Sequence, residues 1–195
     1  MKKILLLLVV SVSFTLYSAA RLYREKAEKG DAWAQCNLGL CYLRGDGVAS
    51  DAKEAVKWLS LAAKQGNDEA KYALACAYFS GNGVVKDFNK AVELALSAAD
   101  NGHAASCHAL GWFYGNGGYN FANVDFVKAE YWLQAAVKKE YALANLSLGW
   151  VLIHTKKDYR KALELYLANV EALAADEDVD VCETYCYKCD NGCVE

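Results

Sequence analysis

The sequence predicts an all-α solenoid of about four helix pairs, with an amino-terminal half-repeat before them and a cysteine-rich tail after them. Three observations carry this reading. The block over residues 31–66 recurs down the chain at a 36-residue step. Within each block, apolar residues are spaced by three and four, as on one face of a helix. Glycines then punctuate the blocks where a helix has to stop. Self-similarity at this period marks a stack of units, each burying its apolar face against its neighbours.

The register is explicit. Leu38-Gly39 returns as Leu74-Ala75, as Leu110-Gly111 and, after a two-residue insertion, as Leu148-Gly149. Tyr42 returns as Tyr78 and Tyr114, and Ala55 as Ala91, Ala129 and Ala162. Gly45-Asp46-Gly47-Val48 returns as Gly81-Asn82-Gly83-Val84. The repeats therefore run over about 31–66, 67–102, 103–140 and 141–175, within a repeat domain of 21–175.

Residues 1–20 have the form of a secretory signal peptide. Lys2 and Lys3 precede an apolar run from Ile4 to Tyr17, and small residues stand at Ser18 and Ala20. The run is shorter than the roughly 20 residues a membrane span needs. Cleavage after Ala20 is expected, with the mature chain periplasmic or secreted and not held in the membrane. Residues 21–30 match the end of a repeat and predict a capping helix over the first full unit.

In the first repeat, Ala34, Leu38 and Tyr42 predict a helix over 32–44, stopped at Gly45. Ser50 and Asp51 are suited to start a second helix, and Asp51 with Glu54 has the spacing of a capping box. That helix carries Ala55, Trp58, Leu59, Ala62 and Ala63 on its apolar side and ends at Gly66. The third repeat holds the insertion around Gly115 to Val124. The fourth has a short turn from His154 to Asp158 and a last helix from Tyr159 to about Ala174. Glycine inside a helix costs about 1 kcal/mol against alanine. Gly39, Gly111 and Gly149 at one repeat position therefore predict a close approach of two helix axes.

Residues 176–195 form a distinct acidic tail. Seven acids face one base, Lys188, so this segment alone carries −6. It also holds Cys182, Cys186, Cys189 and Cys193. Eight cysteines in an exported chain favour disulfides, and these four allow three pairings among themselves. A four-thiolate zinc site and a redox-active Cys186-x-x-Cys189 are the sharper alternatives. Cys36, Cys41, Cys76 and Cys107 fall on first helices, either as buried thiols or with Cys41 and Cys76 bridged. The three histidines make no metal-ligand spacing, and no motif calls for a cofactor. The formal charge of −3 becomes −5 once Lys2 and Lys3 leave with the leader, which argues against a nucleic-acid binder.

The pattern A-x-x-x-L-G-x-x-Y-x-x-G-x-G-V followed by D-x-x-K-A-x-x-W-x-x-x-A-A-x-x-G resembles the Sel1-like repeat family, relatives of tetratricopeptide repeats. Here it runs from Ala34 to Val48 and from Asp51 to Gly66, with some substitutions. The resemblance covers about residues 31–170. The chain departs from the pattern in having no proline: Ala49 and Val85 stand where the family often has one. By resemblance to tetratricopeptide stacks, first helices line a concave face. That implies a groove lined by Trp33, Asn37 and Leu40 in repeat 1, and by Tyr72 and Phe79 in repeat 2. Repeat 3 adds His108, Trp112 and Asn116, and repeat 4 adds Trp150. Rings of this kind anchor protein interfaces. The function so implied is an exported adaptor that binds a protein or peptide and is not an enzyme.

Two other functions compete with this one. Some cysteine-rich exported relatives have been called β-lactamases, and Ser50-Asp51-Ala52-Lys53 matches S-x-x-K. The accompanying S-D-N and K-T-G elements are absent. The tail cysteines would instead support a redox or metal-binding role.

Overall fold

The computed structural model describes residues 20–117 and 124–175, with side chains through Ala168. The described part of helix α1 spans 20–28. Four antiparallel pairs follow: α2 (Ala32–Arg44) with α3 (Ala52–Lys64), α4 (Asp68–Ser80) with α5 (Phe88–Asp100), α6 (Ala104–Asn116) with α7 (Phe126–Val137), and α8 (Ala142–Lys156) with α9 (Tyr159–Ala175). The expected all-α solenoid is what the chain forms. Residues 1–19 of the expected leader, and Cys182, Cys186, Cys189 and Cys193 of the tail, lie outside the described residues.

Each boundary has a local cause. The carboxylate of Asp31 and the side-chain oxygen of Asn67 accept from the third residue on, satisfying an otherwise unpaired N–H at the starts of α2 and α4. Asp51, Asp87, Asp125 and Asp158 do the same for the second helices. First helices end on Gly45, Gly81 and Gly117, whose φ values of 79°, 80° and 62° lie in the left-handed region that glycine enters freely.

The turn between paired helices is closed by a recurring backbone bond. The N–H groups of Asp51, Asp87 and Asp125 donate to the carbonyls of Tyr42, Tyr78 and Tyr114 at 3.0, 3.0 and 2.9 Å. This corrects the capping-box expectation. The Asp51 N–H is already engaged by Tyr42, and the Glu54 carboxylate accepts from Lys57 instead. The periodic tyrosine and the periodic aspartate are thus two ends of one joint.

Two further boundaries shift. Gly117 is the register partner of Gly45 and Gly81, so the insertion of repeat 3 follows it rather than starting at Gly115. In repeat 4, α8 continues to Lys156, with Lys157 in the left-handed region at φ 53°. The turn there is far shorter than His154 to Asp158.

Close packing within pairs is as the glycines predicted. A Cβ on Gly39 would lie 2.7 Å from Leu59 Cγ, and one on Gly149 would lie 2.5 Å from Tyr166 Cε1. Repeat 2 solves the same contact differently, with Ala75 on α4 and Ala95 on α5, both fully buried in one cluster. Between pairs, each second helix packs on the next first helix: α3 on α4, α5 on α6 and α7 on α8. First helices also touch one another, α2 with α4, α4 with α6 and α6 with α8. Gly83 secures the first joint, because any Cβ there would run into the Ala52 carbonyl of the preceding repeat. At the amino-terminal end α1 covers the first unit. Ala27 joins Leu38 and Ala34 in a buried cluster, and the Tyr23 ring meets Trp33 edge-on at 5.4 Å.

Candidate functional site: a pocket between repeats 3 and 4

The rings expected along one groove divide into three groups. Tyr72 and Phe79 are core residues, only 4% and 7% exposed. Phe79 stacks on Phe113 at 4.4 Å, and Tyr72 packs against His103 at 5.6 Å. The expectation that these two face a partner is corrected: each ring is consumed by the joint between repeats 2 and 3. Trp33 stands exposed at the amino-terminal end, with Asn37 donating to the Trp33 carbonyl at 2.9 Å and Leu40 half-buried nearby. Asn37 is therefore engaged with its own helix.

The third group comes together. Trp112, Asn116, Leu146, Ser147 and Trp150 line a pocket of about 470 Å³ with Gly111, Gly115, Leu133, Val151 and Tyr166. Its walls are the first helices α6 and α8. Leu133 of α7 and Tyr166 of α9 contribute to the lining from the second layer. The glycines of α6 lower one wall, and the rings of α8 and α9 frame the other. Trp150 is 45% exposed and stacks on His154 at 4.1 Å, which holds its plane. Asn116 donates to the Trp112 carbonyl at 3.0 Å. Leu133 and Tyr166 were missed as lining residues, because they sit on second helices that helical periodicity assigns to the core.

His108 has a different task from the one expected. Its Nε2 lies 2.9 Å from Ser147 Oγ on α8, and its ring packs on Tyr141 at 5.2 Å. It joins repeats 3 and 4 behind the pocket. Removal from water pushes its pKa down to about 4, so the ring is neutral at pH 7.

The residues with chemistry-bearing side chains fall in structural places. Ser50 Oγ donates to the Leu43 carbonyl, and its neighbour Asp51 caps α3. A Ser106–His103–Glu69 chain exists, with contacts of 2.8 and 3.1 Å, but Ser106 is fully buried at the start of α6. Cys36, Cys41 and Cys107 are buried and Cys76 is half-buried, and Cys41 and Cys76 are not bridged to each other. Burial pushes the Cys41 and Cys107 thiols up, away from the reactive thiolate. Among the described residues, no three His, Cys, Asp or Glu side chains gather as a metal site, and no helix is long and apolar enough to cross a membrane.

A stack of capped helix pairs with glycine-mediated packing and a pocket between units defines a helical-repeat scaffold. The Sel1 repeat family model matches residues 34–67, 68–103, 104–141 and 140–168, and the chain belongs to that family. Sel1 repeat proteins generally mediate protein–protein interaction. The structure is similar to a Sel1 repeat protein from Oxalobacter formigenes, with 30% identity and a TM-score of 0.69 over 80% of this chain and 64% of that one. It is also similar to a protective antigen of uropathogenic Escherichia coli displaying an SLR fold. There the identity is 30% and the TM-score 0.51, over 80% of this chain and 41% of that one. A segment of 46 residues is 50% identical to an F-box protein of Arabidopsis thaliana, covering 24% of this chain and 12% of that protein. The chain thus spans less than two thirds of each of these relatives.

Proposed function

We propose that this chain is an exported Sel1 repeat adaptor that holds a short segment of a protein partner between repeats 3 and 4. The observation that carries this is the pocket walled by Trp112 and Trp150. Its volume of about 470 Å³ accommodates one or two side chains of an inserted segment. Two tryptophans on rigid helices supply contact area at little entropic cost, the pattern of interface hot spots. The Asn116 amide oxygen can accept from a partner backbone N–H and so fix register. First helices approach one another across repeats more closely than second helices do, which favours a concave side on the pocket's face. The basic start, short apolar run and small residues of 1–20 support export.

The test is selection of peptides from a displayed library on the full chain, followed by titration. Trp150→Ala should weaken a selected peptide by at least tenfold while the helical spectrum stays unchanged. Selected peptides that bind this variant equally well would refute the pocket as the binding site. Export is checked separately: the mature amino terminus should begin at Arg21.

A further inference from the structure

Among the described residues the stacking face of α9 is exposed, whereas the same face is at least partly covered in every earlier repeat. Tyr159, Leu163 and Leu167 lie one turn apart on it, each more than half exposed. Their register partners are Ala52, Val56 and Ser60 on α3, Phe88, Val92 and Leu96 on α5, and Phe126, Glu130 and Gln134 on α7. Val56 packs in the cluster with Ala70 and Leu74 of the following unit. Phe88, Val92 and Leu96 pack in the cluster with Cys107 and Leu110 of the unit after theirs. Even the polar counterpart Glu130 is largely covered and is paired at 2.6 Å by Lys156 of the next first helix. The position is therefore built to be covered by the chain that follows.

We infer that the acidic segment 176–195 folds back over this face and caps the carboxy-terminal end of the stack. It begins directly after Ala175, where α9 ends. The 17 residues of α9 are about 25 Å long at 1.5 Å per residue. About eight residues of extended chain cover that distance, and 20 are present, leaving enough for the reversal. Charge complements the docking. The segment carries −6, while Lys157, Arg160 and Lys161 gather at the start of α9, toward which it would run. Val179, Val181, Tyr185 and Tyr187 would share one edge of an extended segment, interrupted only by Glu183, and give the stripe a largely apolar partner. Asp178 and Asp180 fall on the opposite edge. At the other end of the stack, α1 already shows the chain using a flanking segment as a cap.

The experiment places a benzophenone photo-crosslinker at position 163 in the full chain, and separately at position 167. Both side chains point to solvent, so the fold tolerates the change. Irradiation at low protein concentration should give monomer-sized products whose mapped cross-links fall within 176–195. Reversing Arg160→Glu and Lys161→Glu together should lower that yield at least fivefold. Products of dimer size would mean that a second copy covers the stripe, and would overturn the proposal. So would monomers without cross-links to 176–195 at either position, or a yield indifferent to the charge reversal.

Discussion

Gly111 of α6 stands directly against Leu133 of α7: a Cβ built on the glycine would lie 2.7 Å from Leu133 Cδ2 and 3.1 Å from the Ala129 carbonyl oxygen. The leucine can shift only by pressing on its neighbours, and the carbonyl belongs to a helix backbone. Gly111→Leu should therefore separate the pair. Overpacking of this kind costs roughly 1–3 kcal/mol, read as a lower midpoint in chemical denaturation. Repeat 2 indicates the remedy, since Ala75 and Ala95 occupy the same two places. Gly111→Ala alone should destabilise, and combining it with Leu133→Ala, which empties a buried leucine site, should cost less than the sum of the two single changes. Additive effects of the two changes would mean that they do not share this contact.

Glu140 occupies the place held by Gly30, Gly66 and Gly102. Those glycines have φ of 93°, 90° and 91°, and Glu140 is held at 60°. A side chain in the left-handed region costs on the order of 1–2 kcal/mol. Glu140→Gly removes that strain, although glycine also loosens the unfolded chain. The net expectation is a gain of up to about 1 kcal/mol, seen as a rise of a few degrees in melting midpoint. A fall would show that the Glu140 side chain makes a contact worth more than the strain.

His108 gives the fold a specific acid sensitivity. Its pKa is lowered to about 4 by burial, against an ordinary value near 6.5. Between these values the unfolded chain binds a proton that the folded chain does not. Stability is therefore fully present above pH 6.5 and falls as pH drops toward 4, flattening below. The difference between the native chain and His108→Gln should shrink over that window, because glutamine does not titrate. A constant difference from pH 7 to pH 4 would show that the ring ionises in place.

The amino-acid sequence carried the fold almost entirely, because its signals are periodic. Three glycines, four alanines and three tyrosines in register can be read without knowing the tertiary structure, and each marks a contact repeated down the stack. The site was only partly legible. Trp112, Asn116 and Trp150 were expected on a common face by resemblance to tetratricopeptide stacks, and all three line one pocket. Periodicity alone could not separate Phe79 from Trp150, since both fall on the same helical face. What separates them is the neighbour: Phe79 is enclosed by the rings of Phe113 and Phe88, whereas the Trp150 ring, beside those of His154 and Phe126, stays 45% exposed. Cross-repeat contacts of this kind depend on residues about 36 apart that no local pattern couples.

That division yields the sharpest contrast in the molecule. Phe79 is nearly buried in a stack of rings joining repeats 2 and 3, so Phe79→Ala should open a cavity between units. Such truncations cost about 3–5 kcal/mol, and in a stacked protein the loss falls on the interface that couples neighbours. Trp150 leaves 45% of its surface in water and sits at the pocket mouth, so Trp150→Ala should cost the fold far less. Denaturation midpoints of the two variants compare these directly. A shift for Trp150→Ala as large as that for Phe79→Ala would mean that the tryptophan holds repeats 3 and 4 together. The pocket would then be a packing defect beside a structural ring, and a binding role for it would lose its footing. A small shift, together with unchanged helicity, leaves the ring available to whatever segment enters between α6 and α8.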